Sequence, residues 1–102
     1  MRYLTFDVNA QKLIPTSDNS NIVRGTKDYL NVRVNFIGTE WDNCKVVVCF
    51  ASGNYKEYIP VLDGCCKVPN EAASKRAFKI NLIGRNGTYE IKTNQNVISQ
   101  KE

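Results

Sequence analysis

The chain has 102 residues, with 14 Lys and Arg against 10 Asp and Glu, 42% hydrophobic and 24% charged residues, and no His. Folding at this length buries about two-thirds of the unfolded surface, enough for one modest core and too little for a separate catalytic domain, and the lack of His removes the commonest general base and zinc ligand near neutral pH. No window holds the roughly 18 apolar residues of a membrane span, and Asp7 interrupts the apolar run that a signal peptide needs.

Period-two alternation with β-branched and aromatic residues dominates, and no stretch between turn signals keeps a helical period, so the chain reads as all-β. Residues 2–8 put Leu4, Phe6 and Val8 on one side and Tyr3, Thr5 and Asp7 on the other. A short apolar piece follows at 11–15, whose Pro15 suits a sheet edge or a change of sheet. Residues 16–21 have loop composition, Ile22-Val23 is a short piece, and 25–28 is a turn. The clearest alternation spans 29–37, with Leu30, Val32, Val34 and Phe36 inward and Asn31, Arg33 and Asn35 outward. A loop at 38–43 carries the only Trp, Trp41. In the next strand Cys44, Val46, Val48 and Phe50 share one face, and Lys45, Val47, Cys49 and Ala51 the other. That second face is too apolar for bulk water: either a neighbouring segment covers it, the first expectation, or it is a contact surface.

Ala51-Ser52-Gly53-Asn54 has hairpin chemistry and predicts antiparallel pairing of 45–50 with 55–62, where Pro60 marks an edge or a bend. Asp63-Gly64 turns into 65–68, and 69–74 is a crossover between sheets with room for one helical turn. Phe78, Ile80 and Leu82 then alternate with Lys79, Asn81 and Ile83; Gly84-Arg85-Asn86-Gly87 reads as a turn, and 88–92 and 96–99 supply the last strands. About seven to nine short strands so spaced predict a two-sheet β-sandwich of antiparallel strands rather than a barrel. The expected organisation is a single domain over residues 1–102, with 95–102 as an extended or fraying tail.

The candidate chemistry is sparse. Cysteines at 44, 49, 65 and 66 lack the C-x2-C spacing of zinc hairpins, and without a secretion signal they read as packed free thiols, ahead of structural disulfides. Glu40-Trp41-Asp42 does not oppose two carboxylates across a cleft as glycoside chemistry requires; it reads as a Trp plugging the sandwich end between solvated acids. Gly84-x-x-Gly87 lacks the helix that would hold a phosphate. No catalytic, metal or cofactor residue is assigned, and neither a membrane nor a nucleic acid is the expected partner. Outward Arg33, Lys45, Lys79 and Lys92 with Tyr29, Tyr55 and Tyr58 would build a stacking-plus-phosphate face for single strands, although strands ordinarily carry Lys and Tyr outward.

One series of segments carries a resemblance: Gly25-Thr26-Lys27-Asp28-Tyr29-Leu30, Glu40-Trp41-Asp42, Phe50-Ala51-Ser52-Gly53-Asn54, residues 62–71 from Leu62-Asp63-Gly64 to Pro69-Asn70-Glu71, Phe78 to Gly84, and Thr93-Asn94-Gln95-Asn96-Val97. In that order, over nearly the whole chain, they resemble the N-terminal immunoglobulin-like domain of tailed-phage baseplate upper proteins and related tail or appendage proteins of Gram-positive hosts. Cys65 departs from the expected pattern. The resemblance implies an immunoglobulin-like sandwich and a non-enzymatic virion structural protein, made in the host cytoplasm. It would dock other phage structural proteins of a tail, baseplate or fibre in multiple symmetric copies. Trp41, Val47, Cys49 and Ile83 are then the candidate protein-contact residues. A capsid decoration or head-fibre protein and a small nucleic-acid-binding β domain are the alternatives.

Overall fold

The computed structural model describes residues 1–102. Nine strands and one helical turn follow in the order β1 (Arg2–Asn9), β2 (Lys12–Pro15), β3 (Leu30–Ile37), β4 (Lys45–Ser52), β5 (Tyr55–Pro60), β6 (Cys65–Lys67), α1 (Asn70–Ala73), β7 (Ala77–Asn86), β8 (Tyr89–Lys92) and β9 (Asn96–Ser99). They form a two-sheet β-sandwich: β2-β1-β3-β6 in one sheet and β5-β4-β7-β8 in the other, with β9 also paired to β7. Alternation places Leu4, Phe6, Val8, Leu30, Val32 and Val34 of the first sheet against Val48, Phe50, Phe78, Ile80 and Leu82 of the second, all buried. Phe50 and Phe78 meet with ring centroids 6.1 Å apart, within the range of a favourable aromatic pair. Edge strands β2 and β5 both end in proline, which withholds a backbone donor where another chain would pair.

One pairing departs from the antiparallel expectation. β1 and β3 run parallel, in register from Arg2 opposite Leu30 to Asn9 opposite Ile37. The cause is the route between them: β2 folds back on β1, and residues 16–29 then carry the chain to the starting end of β1 before β3 begins, the long connection that a parallel pair needs. That connection is anchored. Arg2 donates to the carbonyls of Asp18, Ser20 and Asn21, Ile22 is buried, and Gly25 N–H donates to the Ala73 carbonyl.

Gly84 does not lie in a turn. β7 continues to Asn86, and the reversal is made by Gly87 and Thr88, with Asn86 opposite Tyr89. A Cβ at Gly84 would sit 2.7 Å from two ring carbons of Trp41, so the glycine is the flat seat of the indole. Trp41 Nε1 donates to the Ala10 carbonyl at 2.8 Å, and its ring lies 5.5 Å from that of Phe36. The indole thus joins the β1–β2 turn, the end of β3 and the last third of β7.

The segment 95–102 is held rather than frayed. β9 pairs with β7 from Ala77–Ser99 to Ile80–Asn96. The buried Gln100 donates through Nε2 to the Lys75 carbonyl at 2.7 Å and to the Ala73 carbonyl at 3.2 Å, satisfying acceptors that the end of a helix leaves open. Lys101 donates its N–H to Ile22 and accepts from Arg24. Upstream, the bend between β8 and β9 latches the two sheets together. Thr93 Oγ1 accepts the Leu82 N–H at 2.9 Å. Asn94 Oδ1 accepts the Leu13 N–H at 2.7 Å, and Asn96 Nδ2 donates to the Leu13 carbonyl at 2.8 Å, so two side chains stand in for a neighbouring strand beside β2.

Two substitutions test these joints. Gly84→Ala forces the indole off its seat and is expected to cost about 1–3 kcal/mol, the range for overpacking a core; a lower urea midpoint and a red-shifted Trp emission are the readouts. Asn94→Ala leaves the Leu13 N–H buried without an acceptor, a loss of about 1–3 kcal/mol, whereas Asn94→Asp keeps the acceptor and most of the stability.

Candidate protein-contact surface

The outer face of the second sheet is built by cross-strand neighbours. Val47 on β4 lies between Pro60 on β5 and Ile83 on β7, and Cys49 lies between Tyr58 and Asn81. Lys92 on β8 sits opposite Ile83, and Lys45 opposite Arg85. At the other end of the face Ala51 is flanked by Lys56 and Lys79. The result is an aliphatic centre in a cationic frame. Arg85 is paired with Glu90 at 2.6 Å; Lys45, Lys56, Lys79 and Lys92 make no salt bridge, all four within the chain lying elsewhere or at Arg85.

The four candidate contact residues separate into three situations. Val47 and Ile83 are adjacent and half-buried on this face. Cys49 shares the face but is only 5% exposed, so its in-sheet neighbours leave little of it for a partner. Trp41 is also 5% exposed and belongs to the core at the sandwich end, the plug that its loop predicts, with the bare backbone of Gly84 leaving room for the ring. No further layer of the chain covers the face, and the cover expected for Val47 and Cys49 comes from side neighbours within the sheet.

Tyr58, 51% exposed and read from sequence only as part of a nucleic-acid face, and Pro60 also belong to this surface. The signal for them is present in the hairpin, because a two-residue turn at Gly53-Asn54 sets Tyr55 opposite Ser52 and hence Tyr58 opposite Cys49. Leu62, 74% exposed, was missed. It stands at the start of a tight reversal in which Asp63 and Gly64 both have positive φ, 52° and 74°, as an Asp-Gly two-residue turn demands.

The residues expected to make a nucleic-acid face do not assemble as a set. Lys45, Lys79, Lys92 and Tyr58 share the outer face of the second sheet. Arg33 lies in the first sheet, 4.0 Å over the Tyr3 ring. Tyr29 precedes β3. Tyr55 takes the inward register of β5 and donates to Glu57 Oε1 at 2.8 Å; burial, then that carboxylate, pushes its phenol above the ordinary range.

All four cysteines are free. Cys65 and Cys66 alternate to opposite faces of β6, Cys65 opposite Arg33 and Cys66 opposite the buried Val32. Burial, and secondarily the neighbouring Cys65, pushes the Cys66 thiol up to about 12.

No family model and no characterised protein sequence matches the chain. The fold is nevertheless a known class of small two-sheet β-sandwich, since five chains of solved structure match it. One is the N-terminal domain of phage TP901-1 ORF48, which superposes over 100% of both chains with a TM-score of 0.58 at 10% sequence identity. At that identity the likeness establishes a shared fold.

The raised thiol makes stability fall in alkali. The folded state favours protonated Cys66, so its contribution is intact below the ordinary thiol value of 9.0 and is lost as pH rises from there towards about 12. The expected result is a urea midpoint that drops as pH rises from 9.0 towards about 12, with a shallower drop in Cys66→Ala; Tyr55 acts with the same sign.

Proposed function

We propose that the chain is a non-enzymatic phage virion protein, made in the host cytoplasm, that serves as a docking and assembly module of a tail, baseplate or fibre through protein–protein contacts. The observation that carries this reading is the fold likeness to a phage protein domain over the full length of both chains. The order of the sequence segments from Gly25 to Val97 supports it independently of that superposition. The immunoglobulin-like character of the sandwich rests on the same sequence resemblance.

Assembly in several symmetric copies suits the size of the available surface. A standard interface buries roughly 800 Å² per partner, and where a small domain presents less than that to each neighbour, simultaneous engagement of several neighbours raises effective concentration enough to hold weak contacts together. Val47 and Ile83 are the contact residues this reading retains, with Tyr58 and Pro60 beside them.

Quantitative mass spectrometry of density-purified particles carrying this gene, separated into heads and tails, tests the reading. The protein is expected at a fixed stoichiometry in the tail fraction. Confinement to heads would replace the tail module with a capsid decoration protein, and absence from both fractions would overturn a virion role.

A further inference from the structure

We infer that the outer face of the second sheet receives an acidic protein surface that carries an apolar anchor residue; the inference rests on the docking role proposed above and names the chemistry of its partner. The anchor sits on Val47, Ile83 and Pro60, and carboxylates of the partner meet Lys92, beside Ile83 on β8, and Lys45, beside Val47 along β4. Charge complementarity selects this occupant. Lys45, Lys56, Lys79 and Lys92 have no carboxylate within the chain, and the one acid in the neighbouring register, Glu90, is already engaged by Arg85. The opposite outer face is less one-sided: Arg33 is stacked on Tyr3, Lys67 is paired with Asp28 at 3.2 Å, and Lys12 shares the face with Asp7.

The same charges argue against the other occupants. A second copy docking by this face across a twofold axis would set one group of lysines against another, a like-charge juxtaposition that costs affinity. A single-stranded nucleic acid binds cationic grooves through successive aromatic platforms, whereas the centre here is aliphatic and holds one aromatic ring, Tyr58, with Tyr29 and Tyr55 placed elsewhere. An aliphatic centre that dries on contact, inside a solvated rim of opposite charge, is the arrangement by which protein partners gain both contact energy and register.

Amide chemical shifts of the full-length ¹⁵N-labelled protein provide the test, with three probes: a Glu-rich peptide bearing central Leu and Phe residues, its Lys-rich counterpart, and an oligothymidylate. The acidic peptide is expected to shift the amides of Val47, Cys49, Asn81, Ile83 and Lys92. Its affinity should fall at least about tenfold in Lys45→Glu/Lys92→Glu and weaken with added salt, as exposed charge pairs do. The double variant is solvent-exposed at both positions, and retained spectral dispersion confirms that it folds. Val47→Ser supplies a second variant that weakens the peptide without changing charge.

Shifts with the oligothymidylate and none with the peptide would make this a nucleic-acid face. Concentration-dependent shifts of the same amides in the protein alone would make it a self-association face. No shift with any probe would overturn the inference. Incorporation into particles separates this inference from the docking role: Lys45→Glu/Lys92→Glu entering tails at the wild-type level overturns the acidic-partner assignment and leaves the role standing, whereas wild-type protein missing from particles overturns the role itself.

Discussion

The Trp41 indole needs a bare stretch of backbone to lie on, and Gly84 supplies it inside a strand that is otherwise well packed. A large ring can close the end of a sandwich only if the facing sheet leaves space for it, and at 2.7 Å even one added methyl group would occupy that space. Because the ring also holds the Ala10 carbonyl and packs near Phe36, it sets the first sheet against the second at this end.

Polar latches hold the remaining boundary. A short edge strand such as β2 has few ladder bonds of its own, and Leu13 would present a buried N–H and carbonyl without partners. Asn94 and Asn96 meet both groups, while Gln100 meets the carbonyls that end α1. The C-terminal third therefore ties together β2, α1 and the 16–29 connection. Surface ion pairs such as those of Glu102 with Arg24 and Arg76 add little, being exposed on both sides.

The two outer faces diverge in chemistry although both belong to amphipathic strands. On the first sheet, polar residues engage one another: Thr5 with Thr16, Asn35 with Asp7, Arg33 with Tyr3. On the second, aliphatic side chains occupy the middle and lysines remain unpaired around them. Polar groups already engaged with one another are costly to dehydrate, whereas unpaired cations around an apolar centre gain from a partner that supplies carboxylates and an anchor. This difference is what favours the second sheet as the contact face in the proposed docking role.

Much of the fold was legible in local pattern. Alternation identified the inward residues of the long strands, Gly53-Asn54 specified a hairpin and with it the opposition of Tyr58 and Cys49, and Pro15 and Pro60 marked edges, because side-chain period and turn chemistry are properties of a few consecutive residues. Sequence could also nominate Val47 and Ile83, each too apolar for its outward register. Their adjacency was not legible, since the register of β4 on β7 joins residues far apart in the chain. The same limit hid the parallel pairing of β1 with β3, the latching of 95–102, and the role of Gly84, which beside Gly87 has the local look of a turn and becomes a strand residue only because Trp41 lies across it. Sequence by itself determined which residues turn inward; tertiary structure alone decided which strands meet, because that choice is made by how the two sheets close over one core.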